Sequence, residues 1–542
     1  MTPRTIKKIM LIMPPLTRPV EFSAKVARVS PFFPLGMAYI AAVLEQTGKY
    51  ELKILDAVLE GNFSDGVLSS DGKMIRYGLT DEQILEYIRA FKPDLVGVAG
   101  LFSGMQEDMG HVCQLVKQVN PATYTTVGGT HAGNMAEEIL HLYPFVDCVI
   151  IGEAEETYLQ LLNYLQGMGP KEALDGLAFR QGTEMIMIPK TRYIQNLDTI
   201  PFPAYHLFDL SKYFAVSDSH GFFRHRPYMQ MVTSRGCPCK CAFCALGPHW
   251  GAKQRLRSAK NVLDEMEYLI KTYGIKEVHF EDDNLTADKQ RAIDICNGMI
   301  ERKFNIVWHA PSGIAVYSLD DEIIEKMAEA GCYSITLAIE SGSPRVLHKL
   351  MRKPVNLDKV PGLVRKIRSV GMDVRGFFIL GYPEETRAEI QATVDFAKKI
   401  ELDWAYFSIF SPLPKTHAYK ICIEKGYIKD GDFDPVRSFH RSIVKTPEFD
   451  PAYLHEVREQ AIIDTCFKYN PNLLKYDVNK AIENFESVVR RYPHFDFANF
   501  YLGEAYLRKN DLVSARAAYK NTLKANPRHE EAQQRLKELG DE

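Results

Sequence analysis

Ser234-Arg235-Gly236-Cys237-Pro238-Cys239-Lys240-Cys241-Ala242-Phe243-Cys244 places Cys237, Cys241 and Cys244 in a C-x₃-C-x₂-C triplet, directly after an apolar strand-like run at 229–233. Three thiolates on one short loop hold three corners of an iron–sulfur cube. The fourth iron of a [4Fe–4S] cluster is then open to a ligand from outside the protein. A zinc knuckle is the competing use of clustered thiols, and it asks for a fourth Cys or His at a second short spacing. None follows cleanly: Cys239 is out of phase within the loop, and His249 is the one imidazole close by.

Downstream of the triplet, strand-like and helical runs alternate. Val262, Met266, Leu269, Ile270 and Tyr273 form the 3.6-period stripe of a core-packed helix, with Ser258 as its N-cap and Gly274 just past its end. Strands are expected at 277–280, 306–309, 334–339, 373–380 and 404–409. Polar or small residues stand where these strands end: Glu281-Asp282-Asp283-Asn284, Ala310-Pro311-Ser312-Gly313, Glu340-Ser341-Gly342-Ser343 and Gly381-Tyr382-Pro383-Glu384-Glu385. In parallel α/β architectures those ends carry the ligands.

The cysteine spacing, the aromatic Phe243 before the last Cys and the ordered strand-end segments together resemble the radical SAM superfamily. The resemblance implies a partial (β/α)₆ barrel over 228–430 with a [4Fe–4S] cluster on Cys237, Cys241 and Cys244. S-adenosylmethionine would chelate the open iron and be cleaved to a 5′-deoxyadenosyl radical. It places SAM contacts at Phe243, Glu281, Asp282, Asp283, Ser312, Glu340, Ser341, Arg375, Leu380 and Gly381, although the common Gly-Gly-Glu form is absent at 281–283. The catalytic acid–base residue is not identified.

Residues 1–168 read as a doubly wound parallel sheet, with strands at 8–13, 51–55, 94–99, 124–127 and 148–151 separated by helices at 35–46, 81–90, 106–119, 136–142 and 155–166. No G-x-G-x-x-G follows the first strand, so a dinucleotide fingerprint is missing. The segments Pro31-Phe32-Phe33-Pro34-Leu35-Gly36-Met37-Ala38-Tyr39, Gly128-Gly129-Thr130-His131-Ala132 and Ile151-Gly152-Glu153-Ala154-Glu155 resemble the cobalamin-binding domain fused ahead of many radical SAM enzymes. That resemblance implies cobalamin contacts at Pro14, Pro15, Leu35, Gly36, Phe102, Ser103, Gly104, Gly128, Gly129, His131, Gly152 and Glu153. The D-x-H-x-x-G that supplies a cobalt-ligating His in such domains is replaced by Pro14-Pro15-Leu16, and Asp218-Ser219-His220 lies beyond the domain and has no Gly three residues after the His. A cobalt without a protein His ligand is expected.

Residues 169–227 read as a connector with a hairpin, and 431–475 as a helical linker or lid. Over 476–542, Ala481, Phe485, Val489 and Pro493 recur as Ala515, Tyr519, Leu523 and Pro527, a period of 34. This resembles tetratricopeptide repeats, and with fewer than three repeats the tail is expected to pack on the body.

The fold class is therefore α/β, with a C-terminal α-helical repeat. A chain of 542 residues with net charge −3 carries no nucleic-acid signature and no apolar run long enough for a membrane. No signal peptide is expected at the N-terminus, and ten Cys in such a chain read as reduced cytoplasmic thiols. Cys113, Cys148, Cys296, Cys332, Cys422 and Cys466 sit in apolar patterns as core residues. The combined resemblance implies an oxygen-sensitive, cobalamin-dependent methyltransferase (class B radical SAM). Its partners would be a flavodoxin- or ferredoxin-like electron donor and a protein or peptide substrate met by the repeats. An oxidative cyclase of the porphyrin branch and a non-catalytic cofactor-sensing scaffold are the alternatives.

Overall fold

The computed structural model describes residues 3–20, 31–182, 184–216, 223–251, 253–429 and 442–540. Asp218-Ser219-His220 and the start of the expected lid lie outside them.

The N-terminal domain contains β1 (Lys8–Met13), β2 (Leu16–Pro19), β3 (Glu51–Asp56), β4 (Asn62–Leu68), β5 (Met74–Gly78), β6 (Leu95–Ala99), β7 (Tyr124–Gly128), β8 (Cys148–Ile150), β9 (Leu177–Gln181) and β10 (Glu184–Ile188). Its main sheet has the order β10-β9-β8-β7-β6-β1-β3, and the five strands from β3 to β8 are parallel. Both faces are covered. Met10 and Ile12 enter one core while Ile9, Leu11 and Met13 enter the other, so β1 reads as an unbroken apolar run. Strand order reverses between β1 and β6, which opens a crevice at their carboxyl ends.

Two features differ from the expectation. The hairpin β9–β10 is not part of a free connector; it adds antiparallel to β8 and extends the first sheet to residue 188. A small antiparallel sheet, β2-β5-β4, is also new. Most of β4 is exposed, so it lacks the apolar alternation that marks a half-buried strand.

The second domain contains β11 (Tyr228–Met231), β12 (Ser234–Arg235), β13 (Arg255–Leu256), β14 (Glu277–Phe280), β15 (Val307–Ile314), β16 (Cys332–Glu340), β17 (Asp373–Leu380) and β18 (Trp404–Ile409). Six of these form the parallel order β11-β14-β15-β16-β17-β18, the expected open barrel. The helix Ala259–Tyr273 starts on Ser258, whose hydroxyl accepts from the Asn261 amide, and stops at left-handed Gly274. β15 runs through Ala310-Pro311-Ser312-Gly313 instead of ending before it, with a register shift against β16 between Ala310 and Ile314.

Helices Val478–Arg491, Asp496–Arg508, Leu512–Ala525 and Glu530–Glu538 form the tail. Phe467 is its contact point: the ring lies 5.5 Å from Trp404 of β18, 4.9 Å from Phe485 and 5.3 Å from Phe497. Ala481, Ile482 and Phe485 belong to the same buried cluster as the barrel. The tail packs on the body, as a repeat too short to stand alone must. Among the described residues no helix is long and apolar enough to cross a membrane.

Candidate active site

β11 is wholly buried and delivers the chain to Thr233 and the cysteine loop. The acidic segment after β14 holds the base of that loop. Asp282 accepts from the Thr233 amide at 3.1 Å, from Thr233 Oγ1 at 2.7 Å and from Ser234 Oγ at 2.5 Å. Asp283 accepts from the Gly236 amide at 3.0 Å, and burial pushes its carboxyl up to about 6. Asn284 donates to Cys237 Sγ at 3.8 Å and to the Tyr317 hydroxyl at 3.0 Å. The backbone carries the loop onward: the Ala242 amide donates to Met351 O, and the Ala418 amide to Ala242 O.

Cys237, Cys239, Cys241 and Cys244 are free and partly exposed, whereas the other six cysteines are free and buried. Their environments differ. Cys241 is drawn below the usual thiol range by a hydrogen bond from Cys239, with the Lys353 ammonium adding to the effect. Cys244 is pushed up to about 11 by burial. Lys353 lies 3.0 Å from Glu340 Oε1 and 6.0 Å above the Phe243 ring. Glu340 closes β16 in a left-handed backbone, φ 75°. Strain of that kind, in a residue other than glycine, is stored where side-chain placement matters. Lys353 had no motif in the sequence; it is one cation in the stretch Lys349 to Lys353 and becomes special only by facing Glu340 and the loop.

The remaining residues expected to meet SAM divide into two groups. Glu281 and Ser312 come together across neighbouring strands, with Ser312 Oγ 3.4 Å from Glu281 and Gln230 Nε2 donating to the same carboxylate at 2.9 Å. Phe243 approaches Tyr382, next to Gly381 at the end of β17. Asp282 is fully engaged in holding the loop. Ser341 is buried against Thr393 Oγ1 at 3.1 Å. Arg375 is neither at the loop nor on the surface. It is buried in the amino-terminal half of β17, 3.2 Å from the Tyr406 hydroxyl and 3.7 Å from Asp373. Leu380 is buried, and the Gly381 amide donates to Glu385 Oε2 at 2.8 Å.

In the N-terminal domain the crevice between β1 and β6 is bordered by buried Pro14 and Pro15, by Leu35 and Gly36 at a helix start, and by Phe102, which is 54% exposed and therefore unusual for an aromatic. Ser103 and Gly104 form a short turn behind it. Gly129 has φ 122°, and a Cβ there would stand 2.8 Å from Gly100 O, so only glycine lets the two strand-end loops meet. Among the described residues nothing lies within 4 Å of a Cβ placed on Gly36 or Gly104, which leaves an open floor for a flat ligand. His131 has both ring nitrogens in use: Nδ1 is 3.0 Å from Ser103 Oγ and Nε2 is 2.7 Å from Gln106 Oε1. It braces the Ser103 turn and has no nitrogen to spare for a metal.

Burial lowers the His131 imidazole to about 4, from 6.5. The unfolded chain therefore binds more protons than the folded one between those values. The stabilisation is complete above about pH 6.5 and is lost as pH falls towards 4. His131→Gln is expected to flatten this slope in a pH series of denaturant midpoints; an unchanged slope would assign it to other groups.

The two domains meet at this site. The Asn134 side chain lies 3.5 Å from Ala245 O, and a Cβ on Gly152 would stand 3.1 Å from His249 O. The cysteine loop therefore sits over the carboxyl-end face of the first sheet. The three triplet thiols on one partly exposed loop, an amide donor toward Cys237 and a half-buried ammonium beside Cys241 fit an anionic cluster. The open glycine floor and exposed Phe102 fit a large planar cofactor.

Residues 231–397 match the radical SAM superfamily and residues 26–162 match the B12 binding domain. The chain is 34% identical to cytidylyl-2-hydroxyethylphosphonate methyltransferase of Streptomyces wedmorensis, over 82% of this chain and 85% of that protein. It is 30% identical to an uncharacterized methyltransferase of Pyrococcus horikoshii, over 87% of this chain and 95% of that protein. The cobalamin-dependent S-adenosylmethionine radical enzyme OxsB, solved with aqua-cobalamin and S-adenosylmethionine bound, superposes with a TM-score of 0.67 at 15% identity, covering 98% of this chain and 80% of that one.

Proposed function

The chain belongs to the cobalamin-dependent radical SAM family, and from that membership we propose that it transfers a methyl group to an unactivated carbon of its substrate. Its cofactors are a [4Fe–4S] cluster, S-adenosylmethionine and cobalamin. When bound, they supply a carbon-centred radical for hydrogen abstraction and a methyl group to replace the hydrogen. The chain's own contribution is positioning. Cys237, Cys241 and Cys244 hold the cluster, and Lys353 offsets its negative charge. Glu281, Ser312 and Glu340 take the ammonium and ribose hydroxyls of S-adenosylmethionine, and Phe243 with Gly381 borders the adenine. The crevice from Pro14 to Phe102 and the Gly128-Gly129 turn hold the corrin. The observation that carries the reading is the seating of the cysteine loop directly on that crevice's domain, through Asn134–Ala245 and Gly152–His249.

The electron comes from a flavodoxin- or ferredoxin-like donor. A protein or peptide acceptor would be met by the repeats, where Val513 is 77% and Leu512 is 44% exposed. A small acceptor is the second reading; it is favoured by the packing of the first repeat into the barrel core and by the small substrate in the Streptomyces relative's name. The test is anaerobic reconstitution, with corrinoid and iron counted per chain, followed by turnover with methyl-labelled S-adenosylmethionine on peptide and small-molecule fractions. Corrinoid, cluster and label transfer are expected together. A cluster without corrinoid, or product without label, would exclude methyl transfer.

A further inference from the structure

Glu153 was expected at the cobalamin, yet it lies in a buried ionic junction between the domains. Its Oε1 accepts from Arg235 Nη1 at 2.9 Å and Arg255 Nη1 at 2.5 Å, while Oε2 accepts from the Ile194 amide at 2.9 Å. Arg235 also pairs with Glu155. Arg255 further donates to Ile194 O at 2.8 Å and to Trp250 O at 3.2 Å. The side chains of Glu153, Arg235 and Arg255 are 1%, 7% and 6% exposed, so water does not share the contact.

The location gives the junction its meaning. Arg235 and Arg255 are directly paired between β12 and β13, the two strands that close the base of the cysteine loop. Two like charges facing one another would repel across that ladder. Glu153, on the turn after β8, and Glu155, at the start of the helix Glu155–Leu165, balance them charge for charge. Arg235 is further held over the Tyr39 ring at 5.5 Å and the Trp250 ring at 5.4 Å. Gly236 and Cys237 follow immediately.

We propose that Glu153 is a positioning residue: with Arg235 and Arg255 it fixes the base of the cysteine loop to the turn after β8, and so sets the separation of the cluster from the cobalt. The inference rests on the reading above that both cofactors bind this chain. Glu153→Gln keeps an acceptor for the Ile194 amide but turns a donor toward the guanidinium groups, leaving Arg255 buried without its counter-charge and Glu155 alone to offset Arg235.

The experiment compares wild type and Glu153→Gln in two states. In the reconstituted chain, pulsed dipolar EPR reads the distance distribution between the reduced cluster and cob(II)alamin. In the apo chain, hydrogen exchange is followed across residues 190–197 and 250–257. Full cofactor content with a broadened distribution, and exchange faster by roughly a hundredfold, is the expected result. An unchanged distribution with unchanged exchange would overturn the proposal. So would loss of cobalamin with unchanged exchange, which would make Glu153 a corrin contact. If wild type itself binds no corrinoid, the functional reading fails, and the exchange comparison still decides the junction. Arg255→Lys, which keeps the charge but not the forked geometry, is the second variant should Glu153→Gln not fold; it is expected to speed exchange less.

Discussion

Cys237→Ala is expected to lose the cluster and to cut S-adenosylmethionine cleavage by more than about a thousandfold, to the level of cofactor-free protein. Two of the three thiols remain, but an iron–sulfur cube held at two corners has a second iron open to solvent and is lost to hydrolysis or oxidation. Cys237 is also held in place, following Gly236 under Asp283 and accepting from Asn284. Iron per chain and the visible charge-transfer absorption after anaerobic reconstitution read the first effect; 5′-deoxyadenosine formation reads the second. Two comparisons sharpen the result. Cys239→Ala should keep both properties, since Cys239 is out of phase with the triplet. Cys113→Ala should also keep both, since that thiol is buried in the first domain. Cleavage retained by Cys237→Ala and lost by Cys239→Ala would reassign the ligand set.

Asp282→Ala is the second large effect. The carboxylate receives one backbone amide and two hydroxyls, and Arg291 supplies the opposing charge. Arg291 in turn donates to Arg257 O and Thr233 O. Removing the carboxylate leaves three donors without an acceptor and takes away the largest opposing charge on buried Arg291, a loss of about 3–5 kcal/mol. The strand end feeding the cysteine loop loosens as a result, so the cluster should be lost at lower denaturant than in wild type. Urea unfolding followed through Trp308, buried in the barrel, alongside cluster absorbance reads both. Asp282→Asn retains one acceptor and should lose roughly half as much. A stable Asp282→Ala with an intact cluster and weakened S-adenosylmethionine binding would instead make Asp282 a direct contact.

Much of the fold was legible because its elements are written locally. A parallel strand covered on both faces is a short apolar run, as in β1 and β6. A helix on its surface is a 3.6-period stripe, as in Ala259–Tyr273. Legibility failed where burial is slight or the partner is remote. β4 is too exposed to carry a strand pattern, and the hairpin β9–β10 looked like a connector because nothing in residues 177–188 states which sheet edge they extend. The strand-end segment beyond it suggests a cofactor contact for Arg375, but its depth along β17 puts it with Tyr406 and Asp373.

The sequence by itself determined the order of the main strands and helices, the spacing of the candidate cysteine triplet and the fusion of two cofactor domains. Each is a matter of spacing within a few residues or of repetition along the chain. The tertiary structure alone decided which charges meet. Glu153 reaches Arg235 and Arg255 across 82 and 102 positions, Asp282 reaches Thr233 and Ser234 across 49 and 48, and Lys353 finds Glu340 across 13. A charged side chain carries no local mark of its partner; only burial, which makes an unpaired charge costly, selects it.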